Sequence, residues 1–258
     1  MDPFCSDTGY DEIAKDYDLM MGDRDEYVQF YSSLLSPGLD SLVDFGCGSG
    51  LVTVELANFL RRQSPSECPR VAGIDVAPGM IGVASARCPN ITWKVADLSN
   101  FNLSERYQLG VCMYNTLQHL DADGLEAAFR CIRAVIEDGG VFSFDIYNPN
   151  REYLSAPQCN RLARTISRVN DTPLEIREDT EFDQESSLLS ITWRLLDPAL
   201  ESQGLMRKTQ FTMWQHDPTF VQSCLAKTGF SVSHLYGDLD ASNFNKSSRK
   251  QIYVCHAD

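Results

Sequence analysis

The sequence predicts an α/β fold with a mostly parallel sheet covered by helices on both faces, followed by an antiparallel extension. Three observations predict it. Between residues 42 and 146, short and nearly continuous apolar runs alternate with amphipathic helical stretches, the pattern of a sheet buried on both sides. A glycine-rich stretch, Asp44-Phe45-Gly46-Cys47-Gly48-Ser49-Gly50, joins the first run to the first helix of that alternation. From 174 to 214 the pattern shifts to polar–apolar alternation, as in Ile191-Thr192-Trp193-Arg194-Leu195, which marks antiparallel strands with one wet face.

Each element follows from its residues. Residues 10–17 and 26–35 carry apolar and aromatic side chains at three- and four-residue spacings and are predicted helical. Ser36-Pro37-Gly38 breaks the pattern. Residues 42–45 read as a buried strand, and 50–62 as a helix with Val52, Leu56, Phe59 and Leu60 on one face. A strand at 71–75 leads to a helix at 78–87, where Pro78 falls in the first turn and its missing N–H breaks no bond. Strands follow at 91–95 and 109–113. The strongest helical pattern covers 123–136, with Leu125, Ala128, Phe129, Ile132, Val135 and Ile136 on one face and Gly139-Gly140 as its stop. A fifth strand spans 141–146.

After Asn148-Pro149-Asn150 three antiparallel strands are predicted, at 174–182, 187–196 and 205–214, linked by turn-rich residues 183–186 and 197–204. A helix at 217–227 closes at Gly229, and strands at 230–236 and 251–255 end the chain. The polar loop 238–250 is expected to be its most mobile segment.

At 258 residues the chain holds between one and two domains of ~150 residues. Hydrophobic residues at 43% and charged residues at 22% are ordinary for a globular protein. Thirty-six acidic residues against 22 basic give a net charge of −14, which argues against gripping a phosphate backbone. No apolar run approaches the ~20 residues of a membrane span, and Met-Asp-Pro-Phe-Cys-Ser-Asp at the start has no signal-peptide character. None of the nine cysteines forms a Cys-x-x-Cys pair. The expectation is a reduced, cytoplasmic protein without a metal site or a membrane partner.

The glycine stretch separates ligand classes. A dinucleotide turn needs Gly-x-Gly-x-x-Gly; here the third glycine comes one residue early, and no Gly-Lys-Ser/Thr follows. Asp44, two residues before the first glycine, suits a cationic ligand better than a phosphate. Asp75, ending the second strand, can accept the hydroxyls of a ribose. Asp97, just past the third, can accept an adenine amino group. A glycine turn, two such acceptors and no phosphate clamp fit S-adenosylmethionine.

Asp-x-Gly-x-Gly-x-Gly at 44–50, with acids at 75 and 97, resembles the cofactor landmarks of class I S-adenosylmethionine-dependent methyltransferases. Residues 8–258 also resemble small-molecule members of that class, including glycine-type and amino-sugar N-methyltransferases. The segments carrying this likeness are 17–24, Asn115-Thr116-Leu117-Gln118-His119-Leu120, Gly229-Phe230 and Tyr236-Gly237-Asp238. The resemblance implies a Rossmann-like sheet of seven strands in order 3-2-1-4-5-7-6, the seventh antiparallel. It implies cofactor contacts from Tyr10, Tyr17, Asp44, Gly46, Cys47, Gly48, Gly50, Asp75, Val76, Met80, Asp97, Leu98 and Tyr114. It also implies an N-terminal helical lid over 1–36, a cofactor domain over 37–150 and 215–258, and an antiparallel insertion over 151–214 above the active site.

His119 and Tyr17 are the catalytic candidates. His119 follows the fourth strand, at the sheet edge where chemistry is expected, and its counterpart in amino-sugar N-methyltransferases lies in the substrate pocket. A helix-capping or packing role is the alternative. Arg24 can meet a carboxylate, and Tyr147 and Asn148 end the fifth strand near the acceptor. Trp193, Trp214 and His216 can roof the pocket, though such aromatics also serve as core or subunit interface. The expected activity is methyl transfer to a small molecule, most readily at an amine, since a negative field attracts cations. Transfer to a hydroxyl, or other chemistry such as cyclisation, stays open. No Asn/Asp-Pro-Pro-Tyr/Phe run follows the fourth strand, where Tyr114-Asn115-Thr116-Leu117 stands, which argues against a nucleic-acid substrate. An exposed meander edge offers a surface for a homodimer.

Overall fold

The computed structural model describes residues 9–64, 66, 68–168, 171–197 and 207–258. Seven strands form the main sheet: β1 (Ser41–Phe45), β2 (Arg70–Asp75), β3 (Thr92–Val95), β4 (Tyr107–Cys112), β5 (Ile136–Tyr147), β10 (Phe230–Tyr236) and β11 (Lys250–Ala257). Their order is β3-β2-β1-β4-β5-β11-β10. The first five run parallel; β11 is antiparallel to β5, and β10 to β11. This is the order that the family resemblance implies.

Strand alternation sends side chains to two opposed cores. Val43 and Phe45 of β1 join Phe142 and Phe144 of β5 beneath α5 (Ala122–Val135) and α7 (Pro218–Lys227). Leu42, Leu109 and Val111 face the other way, onto α2 (Asp25–Ser32) and α3 (Leu51–Gln63). α5 forms because its apolar residues recur at helical spacing and Asp121 caps it, Oδ1 accepting the Gly124 N–H at 2.8 Å. Each of its large buried side chains is worth about 1.5–3 kcal/mol against exposure. α1 (Tyr17–Met21) follows a 3-10 turn, Asp11–Ile13, and α4 (Pro78–Arg87) follows β2.

Two expectations are corrected. α5 ends at Val135, and Gly139-Gly140 lie inside β5. Ile136 pairs with Tyr107 of β4 before the register shifts, so tertiary pairing overrides the helical periodicity by extending the strand backward. The antiparallel sheet has four strands rather than three, in order β6-β7-β8-β9: β6 (Arg161–Arg168), β7 (Asp171–Asp183), β8 (Leu188–Leu196) and β9 (Arg207–Trp214). A short α6 (Arg151–Leu154) precedes them. The 238–250 segment is folded on itself by the bonds Gly237 N–H to Ser242 O, Ser248 N–H to Asn245 O and Lys250 N–H to Gly237 O. The expected turn at 197–204 and the start of the 205–214 strand fall mostly outside the described residues, as does the chain before Gly9.

The N-terminal segment bridges the two sheets. Thr209 Oγ1 of β9 donates to Gly9 O at 2.7 Å, and the Gly79 N–H of α4 donates to Asp11 Oδ1 at 2.6 Å. Ile13 and Met20 are buried among Ile166, Leu174, Ile176 and Leu195 of the small sheet. The ends of β1 and β4, where the strand order reverses, therefore open beneath this segment. In open α/β sheets that reversal is where ligands bind.

Candidate active site

β1 passes into α3 through a turn whose Gly46, Gly48 and Gly50 have φ of +75°, +54° and +72°. The N–H groups of Gly46 and Cys47 donate to Ile74 O at 2.7 and 2.9 Å, docking the turn on β2. A Cβ on Gly46 would fall 2.3 Å from Thr116 Cγ2. Left-handed backbone costs a non-glycine residue about 1–2 kcal/mol, and such a clash about 1–3 more. Gly46→Ala is therefore expected to lose about 2–5 kcal/mol of stability, read by urea unfolding; a loss under 1 kcal/mol would show the turn is not fixed as described. Gly50 packs away from the cavity described next: its Cβ position faces Trp93 Cη2 at 2.6 Å and Ala84 Cβ at 2.9 Å, and it does not line that cavity.

A cavity of about 650 Å³ opens over this turn, lined by Asp44, Gly46, Cys47, Gly48, Asp75, Val76, Met80, Asp97 and Leu98. Tyr10, Tyr17, Arg24, Tyr114 and His119 also line it, with Ile191, Gln210, Phe211 and Thr212 from the small sheet. Of the expected cofactor contacts, all but Gly50 meet here. Asp75 does more than its strand-end position predicts. Its Oδ2 accepts the Gly48 N–H at 2.8 Å and its Oδ1 the Ala77 N–H at 2.9 Å, leaving acceptor capacity on both oxygens. Burial raises its pKa against these bonds. Asp97 Oδ1 accepts from Ser99 N and Oγ, both at 2.8 Å.

Asp44 is 1% exposed. Thr53 Oγ1 donates to its Oδ2 at 2.6 Å, while its Oδ1 is buried with no hydrogen-bond partner among the described residues. Burial pushes its pKa up to about 7, against the Thr53 bond. Arg24 Nε and Tyr114 Oη are likewise buried without partners among the described residues. The Arg24 guanidinium lies 5.3 Å from the ring centroids of both Tyr17 and Tyr114 and donates through Nη2 to Asp18 Oδ1 at 3.0 Å. Buried polar groups are ordinarily satisfied. A carboxylate oxygen and a guanidinium nitrogen left open on one cavity fit a ligand with both an ammonium and a carboxylate. That combination is found in the amino-acid tail of S-adenosylmethionine.

A second cavity, of about 480 Å³, adjoins the first and shares Tyr10, Tyr17, Tyr114, His119, Ile191 and Phe211 with it. Its other walls include Tyr147, Asn148, Tyr153, Glu178, Trp193 and Met213. Trp193 thus faces a cavity, whereas Trp214 and His216 line neither; His216 Nε2 meets Leu120 O at 2.9 Å. Glu178 is held by Trp193 Nε1, which donates to Oε2 at 2.9 Å, and by Arg161 Nη2, at 2.5 Å from Oε1.

His119 ends a 3-10 turn, Thr116–His119. Its Nδ1 is 2.8 Å from Thr212 O, and since a carbonyl only accepts, Nδ1 carries the proton. Nε2, 3.0 Å from Tyr10 Oη, is then the acceptor of the Tyr10 hydroxyl. Burial holds the His119 pKa below its usual 6.5, against the Thr212 bond. Burial first, then nearby Asp75, pushes the Tyr17 hydroxyl up to about 12, although Arg24 opposes the shift. Tyr17 is thus a neutral hydroxyl rather than a base.

Tyr114 and Asn115 both have left-handed backbone, φ +58° and +62°, a conformation that costs non-glycine residues of order 1–3 kcal/mol each. Sequence reasoning had no signal for what supports it. Asp145 of β5, fully buried, accepts the Tyr114 N–H at 2.9 Å on Oδ1. Nor did it foresee that Thr212 of the small sheet sets the His119 tautomer.

The methyltransferase domain family matches residues 42–140. Residues 42–140 are a methyltransferase domain of the class I, S-adenosylmethionine-dependent type. Its cofactor is S-adenosylmethionine. A curated relative of this methyltransferase is the dTDP-3-amino-3,6-dideoxy-alpha-D-glucopyranose N,N-dimethyltransferase of Streptomyces fradiae. The two are 27% identical over 176 residues, 64% of this chain and 66% of that protein. The chain aligns to about two thirds or less of the length of the curated relatives it matches. Over nearly its full length the methyltransferase shares its fold with the CcbJ methyltransferase of Streptomyces caelestis, at TM-score 0.77 and 20% identity, covering 97% of this chain and 98% of that one. CalS10, an amino pentose methyltransferase of Micromonospora echinaspora, matches with TM-score 0.70 and 16% identity over 94% of each chain. No described helix of the methyltransferase is long and apolar enough to cross a membrane.

Proposed function

We propose that the chain methylates an amine nitrogen of a compact small molecule, with the cofactor in the larger cavity and the acceptor in the smaller. The observation that carries this reading is the shared wall: Tyr10, Tyr17, Tyr114 and His119 face both cavities. A group passing between them crosses this wall.

Bound S-adenosylmethionine supplies a methyl carbon activated by its sulfonium, with a neutral thioether as leaving group. Asp75 accepts the ribose hydroxyls, Asp97 the adenine amino group, and Val76, Met80 and Leu98 pack the ring. Asp44 and Arg24 take the amino-acid tail. The small sheet and the N-terminal segment line both cavities, and orientation of the acceptor supplies much of the rate. An amine arrives as an ammonium and must lose a proton before its lone pair is available. Neutral His119 takes that proton at Nε2, directly or through the Tyr10 hydroxyl, while Thr212 holds the imidazole in the required tautomer. The names of the curated relatives, N,N-dimethyltransferases of dTDP-amino sugars, support nitrogen over oxygen.

The experiment is turnover with methyl-labelled cofactor across panels of amino sugars, other amines and their hydroxyl analogues, with the products identified. Labelled N-methyl product with S-adenosylhomocysteine is expected. Label on oxygen alone, or methylthioadenosine as the by-product, overturns the reading.

A proton should also leave when the tail binds. Free Asp44, with its pKa about 7, is largely neutral at pH 6. An ammonium beside it favours the charged form and lowers that pKa. Binding S-adenosylhomocysteine at pH 6 is therefore expected to release up to about one proton, falling toward zero above pH 8, with affinity rising as pH increases to about 7. Calorimetry in buffers of different ionisation enthalpy measures this, and Asp44→Asn should abolish it.

A further inference from the structure

We propose that the buried Asp145–Lys250 pair is a positioning device that holds residues 114–119, and with them Tyr114 and His119, against the junction of the two cavities. The device is geometric; that the segment it holds serves methyl transfer rests on the function proposed above.

Asp145 lies in β5 and Lys250 in β11, 0% and 3% exposed at their side chains, with Nζ 2.6 Å from Oδ2. Every bond around the carboxylate has a donor. Oδ1 accepts the Tyr114 N–H at 2.9 Å and the Tyr31 hydroxyl at 3.2 Å. Oδ2 accepts the Tyr27 hydroxyl at 3.0 Å beside the Lys250 ammonium. Lys250 also donates to Tyr27 Oη at 2.8 Å and to Asn115 Oδ1 at 3.4 Å. Its Nζ sits 4.9 Å from the ring centroid of Tyr147, a wall of the smaller cavity.

The two members of the pair thus grip two adjacent non-glycine residues, Tyr114 and Asn115, whose backbone is left-handed. Asp145 takes the amide of Tyr114, and Lys250 takes the side chain of Asn115. Tyr27 stacks on the Tyr114 ring at 3.8 Å between centroids, fixing the side chain as Asp145 fixes the backbone. Beyond them the chain runs straight into the 3-10 turn, where Gln118 ties the far end by donating to Trp214 O at 3.1 Å and accepting the Tyr147 N–H at 2.8 Å. A buried pair is not generally retained for stability, because apolar replacements often match it. Here both charges end on a strained segment that lines the site. Neither touches the larger cavity, so they act through Tyr114 and His119 and are positioning residues.

The test compares the wild type with Asp145→Asn/Lys250→Met, which removes both charges together, and with Tyr27→Phe, which keeps the pair but removes one donor. In ligand-free protein, amide exchange of 113–119 is expected to speed at least tenfold in the double variant and about threefold in Tyr27→Phe, with exchange in β1 and α5 unchanged. For turnover, kcat should fall at least thirtyfold in the double variant, while KM for the acceptor changes less than threefold. Unchanged exchange at 113–119, or an equal rise throughout the fold, overturns the proposal. If the double variant does not fold, the Tyr27→Phe exchange pattern decides alone. The exchange readout needs no acceptor, so selective loosening in a protein that methylates nothing would refute the proposed function and leave the positioning device standing.

Discussion

Asp75→Ala is expected to weaken S-adenosylhomocysteine binding at least about 100-fold. Hydrogen bonds to a charged group contribute about 1.5–3 kcal/mol each, and two ribose hydroxyls would lose theirs at once; 1.4 kcal/mol is a factor of ten. The same substitution leaves the N–H groups of Gly48 and Ala77 without the carboxylate that now receives them at 2.8 and 2.9 Å. The glycine turn therefore loosens as the ligand contact disappears, and the two losses add in the same direction. Titration calorimetry on material shown to be folded by circular dichroism measures the affinity. A change under tenfold would mean that Asp75 holds the turn and does not touch the ribose.

His119→Ala is expected to lower kcat about 100-fold at pH 7, the lower end of the range for a positioned acid–base group, while S-adenosylhomocysteine affinity changes less than threefold. The pH profile gives an independent reading. Burial holds the wild-type His119 pKa below 6.5, so the neutral, proton-accepting form persists into mildly acidic solution. The acid limb of kcat/KM should then lie below pH 6.5, with activity lost as pH falls through it, and the variant should lack that limb. A variant with kcat within threefold of wild type and an unchanged profile would reduce His119 to a packing group. Tyr10→Phe, which removes the hydroxyl that Nε2 accepts, separates direct proton transfer from transfer through Tyr10.

What the sequence made legible was local. The turn at 44–50 announces itself because glycine tolerates its three positive φ values, and the strand-end acids stand at fixed offsets from apolar runs. The parallel order followed from alternation and from the resemblance together. The hidden parts depend on distant partners. β6, Arg-Leu-Ala-Arg-Thr-Ile-Ser-Arg, is too polar to read as a strand, leaves Leu162 45% exposed and pairs with β7 through two register shifts. Helical spacing carried α5 one residue too far because pairing with Tyr107 claims Ile136 for β5. Asp145 and Lys250 stand 105 residues apart, so no spacing joins them. Arg24 was visible as a candidate, but its place between two tyrosine rings depends on Tyr114, 90 positions downstream by sequence number.

The common wall of the two cavities limits how this enzyme's choice of acceptor can be altered. Tyr10, Tyr17, Tyr114 and His119 line both cavities, so, with the cofactor in the larger and the acceptor in the smaller as proposed, trimming any of them to admit a bulkier guest would also disturb the methyl donor. Leu189, Met213, Trp193 and Glu178 touch only the smaller chamber. Variation confined to that far side can broaden or redirect acceptor choice and leave donor affinity intact, which makes it the place to begin a redesign.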